Sequence, residues 1–212
     1  MFDGILFDLD GTLWDSTPAM AGIWKIIFAR HPELTRPPIE VPEIRGCMGL
    51  LLPDIARKLF PDEPDQVRLG LNDEFCAEAP AYLAQHRGVP YPGAARVLEA
   101  LSGAARLFVV SNCQEGYIEG FYEATGLGPF FSDSECAGHT GLPKSENIKL
   151  VVERHGLRAP VYIGDTLLDC TSARGAGVPF LHAAYGFGQA PGAPAVRSFE
   201  EIPAALEAMG PT

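Results

Sequence analysis

Four short apolar runs set the pattern of the chain. Each run is continuous rather than alternating, which is typical of strands buried on both faces of a parallel sheet. Each also ends in small or polar residues, so the pattern predicts parallel strands with polar groups at their carboxyl ends. The runs are GILFD (4–8), RLFVVSN (106–112), PVYIGD (160–165) and VPFLHA (178–183).

Segments with helical periodicity lie between these runs. Apolar residues recur every three or four positions, and a glycine follows each pattern as a C-terminal stop. Strands that alternate with helices predict an α/β fold with a doubly wound parallel sheet. The helical segments are PGAARVLEALSG (92–103), EGYIEGFYEATG (115–126) and SENIKLVVERHG (145–156).

The stretch 15–88 breaks this alternation and predicts an all-helical insertion. Thr17 is the predicted N-cap of its first helix, with Pro18 at the first helical position. Pro80 is predicted to kink or divide the last helix, and no strand is predicted. The helical patterns cover 17–30, 50–60 and 64–86.

Two domains follow from this division. An α/β core takes residues 1–14 and 89–212, and a helical cap takes residues 15–88. HRGVPYPG (86–93) is the predicted second hinge between them. The division is typical of a core with a smaller domain inserted after its first strand.

Composition narrows the classes of partner. The chain has 212 residues, 47% of them hydrophobic, and a formal net charge of -11. This acidity disfavours nucleic acid and anionic membranes as partners, because both attract basic surfaces. No run approaches 18 apolar residues and no basic-then-apolar leader opens the chain, so we expect neither a membrane span nor a secretory signal.

The cysteines indicate a reducing compartment. They are odd in number and lack a CxxC spacing, which favours free thiols over a disulfide framework or a zinc site. We therefore expect a cytoplasmic protein. The cysteines are Cys47, Cys76, Cys113, Cys136 and Cys170.

Polar side chains follow three of the predicted strands. The carboxyl ends of parallel strands meet at one edge of a sheet, where ligands bind in folds of this class. Hard oxygen ligands around a small site suit Mg²⁺, and the cation would relieve the repulsion between neighbouring carboxylates. The residues concerned are Asp8, Asp10, Ser111, Asn112, Lys144, Asp165 and Asp169.

These residues form motifs that resemble those of the haloacid dehalogenase superfamily, in the same order. FDLDGTLWDS (7–16) is similar to the DxDGT motif of its phosphatases, and VVSN (109–112) to its second motif. Lys144 resembles the third motif, and GDTLLD (164–169) the fourth, GDxxxD. The insertion is similar to the C1-type cap of the phosphoglycolate phosphatase-like branch. The resemblance implies a Rossmann-like core and a Mg²⁺-dependent phosphatase of a small phosphate ester.

The resemblance also implies a role for each carboxylate. Asp8 would be the nucleophile that forms an aspartyl phosphate. Asp10 would protonate the leaving oxygen and later deprotonate the attacking water. Asp165, Asp8 and the backbone carbonyl of Asp10 would hold Mg²⁺, while Asp169 would bind the metal more distantly or orient its waters.

The remaining positions would bind phosphate and substrate. Ser111 and the backbone amide of Asn112 would bind phosphate oxygens, and Thr12 would brace the loop. Lys144 would offset the charge of the nucleophile and of the transferring group. The cap is expected to close over the substrate, and Arg45 to meet a negative or hydroxyl-rich leaving group.

Two positions depart from the family pattern. Trp14 stands where this branch usually has a smaller aliphatic residue, and we expect it to touch the hinge or the mouth of the site. Lys144 is followed by Ser145 instead of proline, which affects the loop geometry more than the charge. Cys113, beside the second motif, is interpreted as a passive buried thiol.

Other aspartate and glycine motifs fit less well. An EF-hand that began at Asp8 would need glycine at its sixth and glutamate at its twelfth position, where the chain has Leu13 and Ala19. GHTGLPKS (138–145) has Pro143 in place of the second glycine of a P-loop. A receiver domain would carry its acceptor aspartate after a later strand and has no helical insertion.

Two functional alternatives stay open. A phosphomutase of the β-phosphoglucomutase type would return the phosphoryl group to a sugar instead of water. A regulatory protein on the same scaffold would bind a phosphate ester with weak turnover. The sequence leaves open the metabolite and the choice between monomer and homodimer.

Overall fold

A computed structural model describes residues 2–86 and 88–211 of the chain, with the side chain of Ala84 set aside. Arg87 of the predicted second hinge, and positions 1 and 212 of the predicted core, lie outside the described residues. Within the described ranges, no helix has the combined length and apolarity needed to cross a membrane.

The strands form two separate sheets. They are β1 (Gly4–Phe7), β2 (Trp14–Asp15), β3 (Val89–Pro90), β4 (Arg106–Ser111), β5 (Phe131–Cys136), β6 (Pro160–Gly164), β7 (Phe180–Ala183) and β8 (Ala195–Val196). The larger sheet has the order β5-β4-β1-β6-β7-β8 and is parallel throughout. The predicted strands are confirmed as β1, β4, β6 and β7.

The sequence pattern misses β5 and β8. β5 is an edge strand that reads FSDSEC, and its first four residues are not buried. An edge strand with an exposed start needs no continuous apolar run, so it gives no signal of a buried strand. β8 has two residues, which is too short for any periodicity.

β1 lies where the winding of the sheet reverses. Phe7 pairs in register with Val109 of β4 on one side and with Ile163 of β6 on the other. The chain winds outward through β4 and β5, then crosses to the far side of β1 and continues through β6 and β7. A crevice forms at the carboxyl ends of the strands at such a switch point. The residues that follow β1, β4 and β6 therefore meet at one edge.

Helices cover both faces of this sheet, as the doubly wound prediction requires. The α-helices among the described residues are α1 (Thr17–Arg30), α2 (Val41–Arg45), α3 (Leu52–Leu59), α4 (Asp65–Gln85), α5 (Ala94–Ser102), α6 (Tyr117–Thr125), α7 (Ala137–Thr140), α8 (Lys144–Arg154), α9 (Leu167–Ala176) and α10 (Ile202–Met209). Leu6 of β1 shares a buried cluster with Ile148 of α8. Its neighbour Phe7 faces the other side and belongs to the cluster that contains Val97 of α5.

Helices α1 to α4 lie between β2 and β3, in the segment predicted as the cap. Trp24 of α1 stacks on Phe75 of α4 with ring centroids 5.0 Å apart. The sequence predicts that Pro80 kinks or divides the last helix. Helix α4 runs through Pro80 as one helix, so the proline does not divide it, and the predicted kink stays a prediction. Packing of α4 against α1 and α3 outweighs the one backbone hydrogen bond that a proline removes.

Helix α1 begins at Thr17, with Ser16 as its N-cap residue and Pro18 at the second position. The predicted N-cap role of Thr17 is therefore wrong by one residue. The reason lies in Asp15, whose Oδ1 accepts the backbone N–H of Thr17 at 3.0 Å. The aspartate thus satisfies a free amide of the first turn from outside the helix.

A short antiparallel pair joins the two connections between core and cap. Trp14 of β2 pairs with Pro90 of β3, and Asp15 pairs with Val89. The prediction that 15–88 contains no strand is therefore wrong at Asp15, because two residues give no pattern. The division into core and cap at these positions stays a prediction.

Candidate active site

Carboxylates from three elements meet beyond the carboxyl end of β1. Asp8 directly follows β1, Asp165 directly follows β6, and Asp169 lies in the first turn of α9. All three are buried, and one oxygen of each lies within 4.8 Å of the others. The structure thus brings the predicted metal-binding carboxylates into one cluster.

Lys144 is the first residue of α8, and its ammonium enters this cluster. Its Nζ donates to Asp8 Oδ1 at 2.8 Å and to Asp169 Oδ1 at 2.6 Å. Burial alone lowers the pKa of Lys144, but the carboxylates of Asp169 and Asp8 outweigh it and raise this pKa well above its usual value. The lysine is therefore a fixed positive charge beside the candidate nucleophile.

Three carboxylates against one ammonium leave an excess of negative charge. Burial raises the pKa of Asp8 well above its ordinary value, and Lys144 opposes this rise. Burial, followed by the charge of Asp169, raises the pKa of Asp165 to about 7. A divalent cation among these carboxylates would favour their ionised forms.

Asp165 offers an oxygen that fits such a cation. Its Oδ2 accepts the backbone N–H of Phe187 at 2.7 Å, whereas its Oδ1 is buried with no hydrogen-bond partner in the described chain. Asp169 differs, because its Oδ1 bonds Lys144 and its Oδ2 accepts from the backbone and hydroxyl of Thr166. A buried unpaired oxygen costs free energy unless a ligand binds it. The residues present therefore fit a divalent cation, and Mg²⁺ with Asp169 at a greater distance stays a prediction.

The turn after β1 requires glycine at position 11. Gly11 has a φ of +88°, and a side chain there would collide with the carboxylate of Asp165. Next to it, Thr12 is fully buried, and its hydroxyl has no partner among the residues described. Its carbonyl accepts the Tyr185 hydroxyl at 2.9 Å. The bracing role of Thr12 stays a prediction.

Three donors hold the carboxyl group of Asp10. Trp14 Nε1 donates to Asp10 Oδ1 at 2.9 Å. The hydroxyl of Tyr117 reaches the same oxygen at 3.1 Å, and the hydroxyl of Ser16 bonds it as well. Burial raises the pKa of Asp10, and these bonds, that of Ser16 first, oppose the rise. A raised pKa favours the protonated carboxyl that a general acid needs.

Sequence reasoning misses two of these donors. Tyr117 is 107 positions from Asp10 and reads in the sequence only as part of the apolar face of a helix. Ser16 ends the segment that resembles the first motif and precedes a predicted helix, but the sequence predicts no role for it. No signal in the sequence links either of them to Asp10.

A cavity between core and cap collects most of the predicted site residues. Asp8, Asp10, Ser111, Asn112 and Lys144 line its core side. The side-chain amide of Asn112 donates to the carbonyl of Gly49 in the cap at 2.8 Å. The end of β4 is thus tied directly to the cap.

Cys113 lines the same cavity. Burial raises the pKa of its thiol well above the usual value, so the thiol stays protonated. This protonated state is consistent with the interpretation of a passive thiol.

Arg45 lies apart from this cavity lining. Its guanidinium pairs with Asp15 at 3.0 Å and lies 5.9 Å from the ring centroid of Phe187, and its side chain is about half exposed. Arg45 therefore connects the cap to strand β2. Its contact with a leaving group stays a prediction.

Known proteins resemble this chain in sequence and in fold. Residues 5–183 match the family of haloacid dehalogenase-like hydrolases. A phosphoglycolate phosphatase of Caulobacter vibrioides is 31% identical, over 95% of this chain and 89% of the relative. An N-acetylmuramic acid 6-phosphate phosphatase of Pseudomonas aeruginosa is 26% identical, over 86% of this chain and 82% of the relative. A haloacid dehalogenase-like family hydrolase from Streptococcus pneumoniae has a similar structure, with a TM-score of 0.82 and 22% identity over 97% of this chain and 99% of the other.

Fold, site and relatives together define a hydrolase that acts on phosphoric monoesters. The match spans most of the chain, from β1 to the end of β7. The chain therefore belongs to the haloacid dehalogenase-like hydrolase family and is similar to its phosphoglycolate phosphatase-like branch.

Proposed function

We propose that this chain is a Mg²⁺-dependent phosphatase that hydrolyses a small phosphorylated metabolite through an aspartyl-phosphate intermediate. The observation that carries the proposal is the contact of Lys144 with Asp8 at the end of a cavity, beside the unpaired oxygen of Asp165. A buried carboxylate next to a fixed ammonium suits attack on an anionic phosphorus.

Asp8, Asp165 and the backbone carbonyl of Asp10 are proposed to hold Mg²⁺, with Asp169 orienting its water ligands. Their donor atoms are all oxygens, which this metal prefers. When bound, the cation would neutralise charge on the phosphate oxygens and favour the ionised form of Asp8.

In the first step, a carboxylate oxygen of Asp8 bonds to phosphorus while the bond from phosphorus to the leaving oxygen breaks. Asp10 gives its proton to that oxygen, so the product departs as a neutral alcohol. Ser111 and the backbone N–H of Asn112 are proposed to bind phosphate oxygens. Lys144 offsets the negative charge that collects there.

In the second step, a water molecule attacks the phosphorus of the aspartyl phosphate. Asp10, now a carboxylate, takes a proton from this water. The bond between phosphorus and Asp8 then breaks, orthophosphate leaves and the nucleophile is restored. The donors Trp14 and Tyr117 keep the Asp10 carboxyl in one place through both transfers.

Phosphate release from a chromogenic ester in the presence of Mg²⁺ tests the proposal. We expect Asp8→Asn to lower kcat by a factor on the order of 10⁴ or more, because the nucleophile is lost. Asp54→Asn, which changes an exposed cap carboxylate paired with Arg57, is the control and should retain full activity. Acid-quenched wild type should carry phosphate from a labelled ester, whereas Asp8→Asn should not.

Identification of the reaction products separates the proposed phosphatase from the two rival functions. With glucose 1-phosphate, a phosphatase releases orthophosphate, whereas a phosphomutase forms the isomeric glucose phosphate. A regulatory protein would bind phosphate esters and give the same negligible turnover in the wild type and in Asp8→Asn.

A further inference from the structure

We infer that the leaving group of the substrate is an uncharged alcohol with an apolar face and hydroxyl or amide groups, and that an ester with a carboxylate on its leaving group, such as phosphoglycolate, is a poor substrate. The inference rests on the proposed function, because the leaving group is placed relative to Asp8. It follows from an apolar cap wall that faces Asp8 across the cavity and contributes no cation.

Large apolar side chains form this cap wall. Met20 and Trp24 come from α1, Leu52 from α3 and Phe75 from α4, and Met48 joins them from the loop between α2 and α3. Trp24 is 2% exposed and stacks on Phe75, so this part of the wall is a fixed surface. Such a wall binds the carbon surface of a ligand by removing it from water.

Lys144 is the only cation among the described residues that line the cavity. Both of its ion pairs are to carboxylates, those of Asp8 and Asp169, so its charge serves the phosphoryl end. Arg45 of the cap lies outside the lining and is already paired with Asp15. A carboxylate on the leaving group would therefore lose its water against apolar carbon without gaining a counter-charge.

Beyond the groups already assigned to the chemistry and to phosphate binding, the polar side chains of the lining are neutral amides. Asn72 of α4 lines the cavity and is 6% exposed, and its Nδ2 donates to the carbonyl of Leu52 at 2.9 Å. The Oδ1 of Asn72 is buried and has no hydrogen-bond partner in the described chain. The same holds for Asn112 Oδ1 and Gln114 Nε2. Acceptors outnumber donors in this set. They match hydroxyl or amide hydrogens and repel a carboxylate, which only accepts.

Steady-state kinetics with a matched pair of esters test the inference. Phosphoglycolate and phosphoglycolamide differ in whether the leaving group carries a carboxylate or a neutral amide of the same shape. With Mg²⁺ present, we expect kcat/KM for the amide to exceed that for the acid by about tenfold or more.

A cation placed on the wall gives a second measurement. Leu52→Lys puts an ammonium on the lining, and Leu51→Lys, at the neighbouring exposed position outside the lining, is the matched control. We expect Leu52→Lys to shift the ratio of the two kcat/KM values toward phosphoglycolate by roughly tenfold, and Leu51→Lys to leave the ratio unchanged. If Leu52→Lys does not fold, the comparison of phosphoglycolate with phosphoglycolamide as substrates of the wild type tests the inference by itself.

The outcomes separate the inference from the proposed function. If the wild type hydrolyses phosphoglycolate as fast as the amide or faster, and Asp8→Asn is inactive, the inference is overturned and the proposed function stands. If no ester is hydrolysed, or if activity survives in Asp8→Asn, the proposed function fails and the inference fails with it.

Discussion

Trp14 shows how a single residue links the hinge to the chemistry. Its indole is fully buried, with ring centroids 5.0 Å from Phe121 and 6.0 Å from Tyr117. Its backbone pairs with Pro90 in the hinge, and its N–H donates to Asp10. The residue that departs from the family pattern therefore has both packing and polar contacts, and its polar contact positions the proposed general acid.

Trp14→Phe tests this positioning role. The substitution keeps an aromatic ring in the packing but removes the N–H that fixes Asp10, so we expect kcat to fall by roughly tenfold while KM changes little. Phe121→Leu, which alters packing against the same indole without touching Asp10, is the control. An equal loss of kcat in both variants would assign the effect to packing instead.

At this scale the sequence predicts the site residues that a strand end or a family motif marks, including Lys144 and Asp165, which are far from Asp8 in the chain. Asp8 and Asp10 come just after β1, and the apolar run before them predicts their position at the carboxyl end of a strand. Tyr117 reaches Asp10 across 107 positions, and its role depends on how α6 packs. Tertiary packing determines such a contact, and residue type and spacing do not encode it.

Among the structural elements, the cap contacts the core through the packing of α4 against α6 and through residues at the hinge and the cavity. Arg45 at the end of α2 pairs with Asp15, and Gly49 accepts a hydrogen bond from Asn112. These contacts hold α2 and the loop after it near the cavity. Closure of the cap over a substrate stays a prediction, and under that prediction these contacts contribute to the binding of any substrate.

Arg45→Ala should raise KM for every phosphate ester by about three- to tenfold, with kcat nearly unchanged. The variant loses the ion pair that holds α2 near β2 beside the cavity. Arg57→Ala is the control, because Arg57 pairs with Asp54 within α3 and does not line the cavity. Unchanged Michaelis constants across a panel of esters would remove Arg45 from substrate binding.

His31 gives the cap a pH-dependent stability. It lies at the end of α1 and bonds Glu33 at 2.8 Å and Glu74 of α4 at 2.6 Å. These bonds, that to Glu33 first, raise the pKa of His31 above its ordinary value of 6.5. Since the folded state holds the proton more tightly, the stabilisation is complete below pH 6.5 and is lost as the pH rises through the raised pKa.

Thermal unfolding of His31→Gln at several pH values measures this effect. We expect the difference in Tm between wild type and variant to be largest near pH 6 and to shrink toward about pH 8.5. His86→Gln, whose ring bonds the carbonyl of Tyr82, is the control for loss of an imidazole. A difference in Tm that does not change with pH would contradict the role of the His31 charge.

Apolar periodicity predicts the central elements better than the peripheral ones. The buried strands β1, β4, β6 and β7 give continuous apolar runs, because both of their faces are covered. β5 gives no continuous apolar run, because an edge strand tolerates SDSE at its centre. Pro80 does not divide α4, because the packing of this long helix compensates for one lost backbone hydrogen bond. In both cases the outcome depends on which elements pack against the segment, and the local sequence does not contain that information.

The molecule as a whole is acidic, and the proposed cation site places three buried carboxylates beside one ammonium. The chain has a net charge of -11, and the cluster of Asp8, Asp165 and Asp169 contains Lys144 as its counter-charge. A bound cation would relieve this repulsion in the folded state, whereas the unfolded chain has no such cluster. Mg²⁺ should therefore stabilise the fold as a whole.

Mg²⁺ at about 100 times its Kd should stabilise the wild type by about 2.7 kcal/mol. In a chain of this length, that corresponds to a rise in Tm of roughly 5–10 °C. Asp165→Asn should lose most of this rise, because it removes the unpaired carboxylate oxygen. Glu99→Gln, at an exposed position of α5, should keep the rise. Equal rises in all three proteins would place the cation elsewhere.

The pairing of β2 with β3 has a consequence for the modularity of the chain. Asp15 and Val89 are directly opposite each other in that ladder. The two ends of the segment between them are therefore adjacent, next to the part of the chain that contains the large sheet. A tight turn grafted between Asp15 and Val89 would close the remaining polypeptide without moving any strand of the large sheet. The segment can therefore be exchanged as a cassette in which Ser16, whose hydroxyl bonds Asp10, is kept, and recognition of new esters could be engineered without changing the proposed phosphoryl-transfer residues.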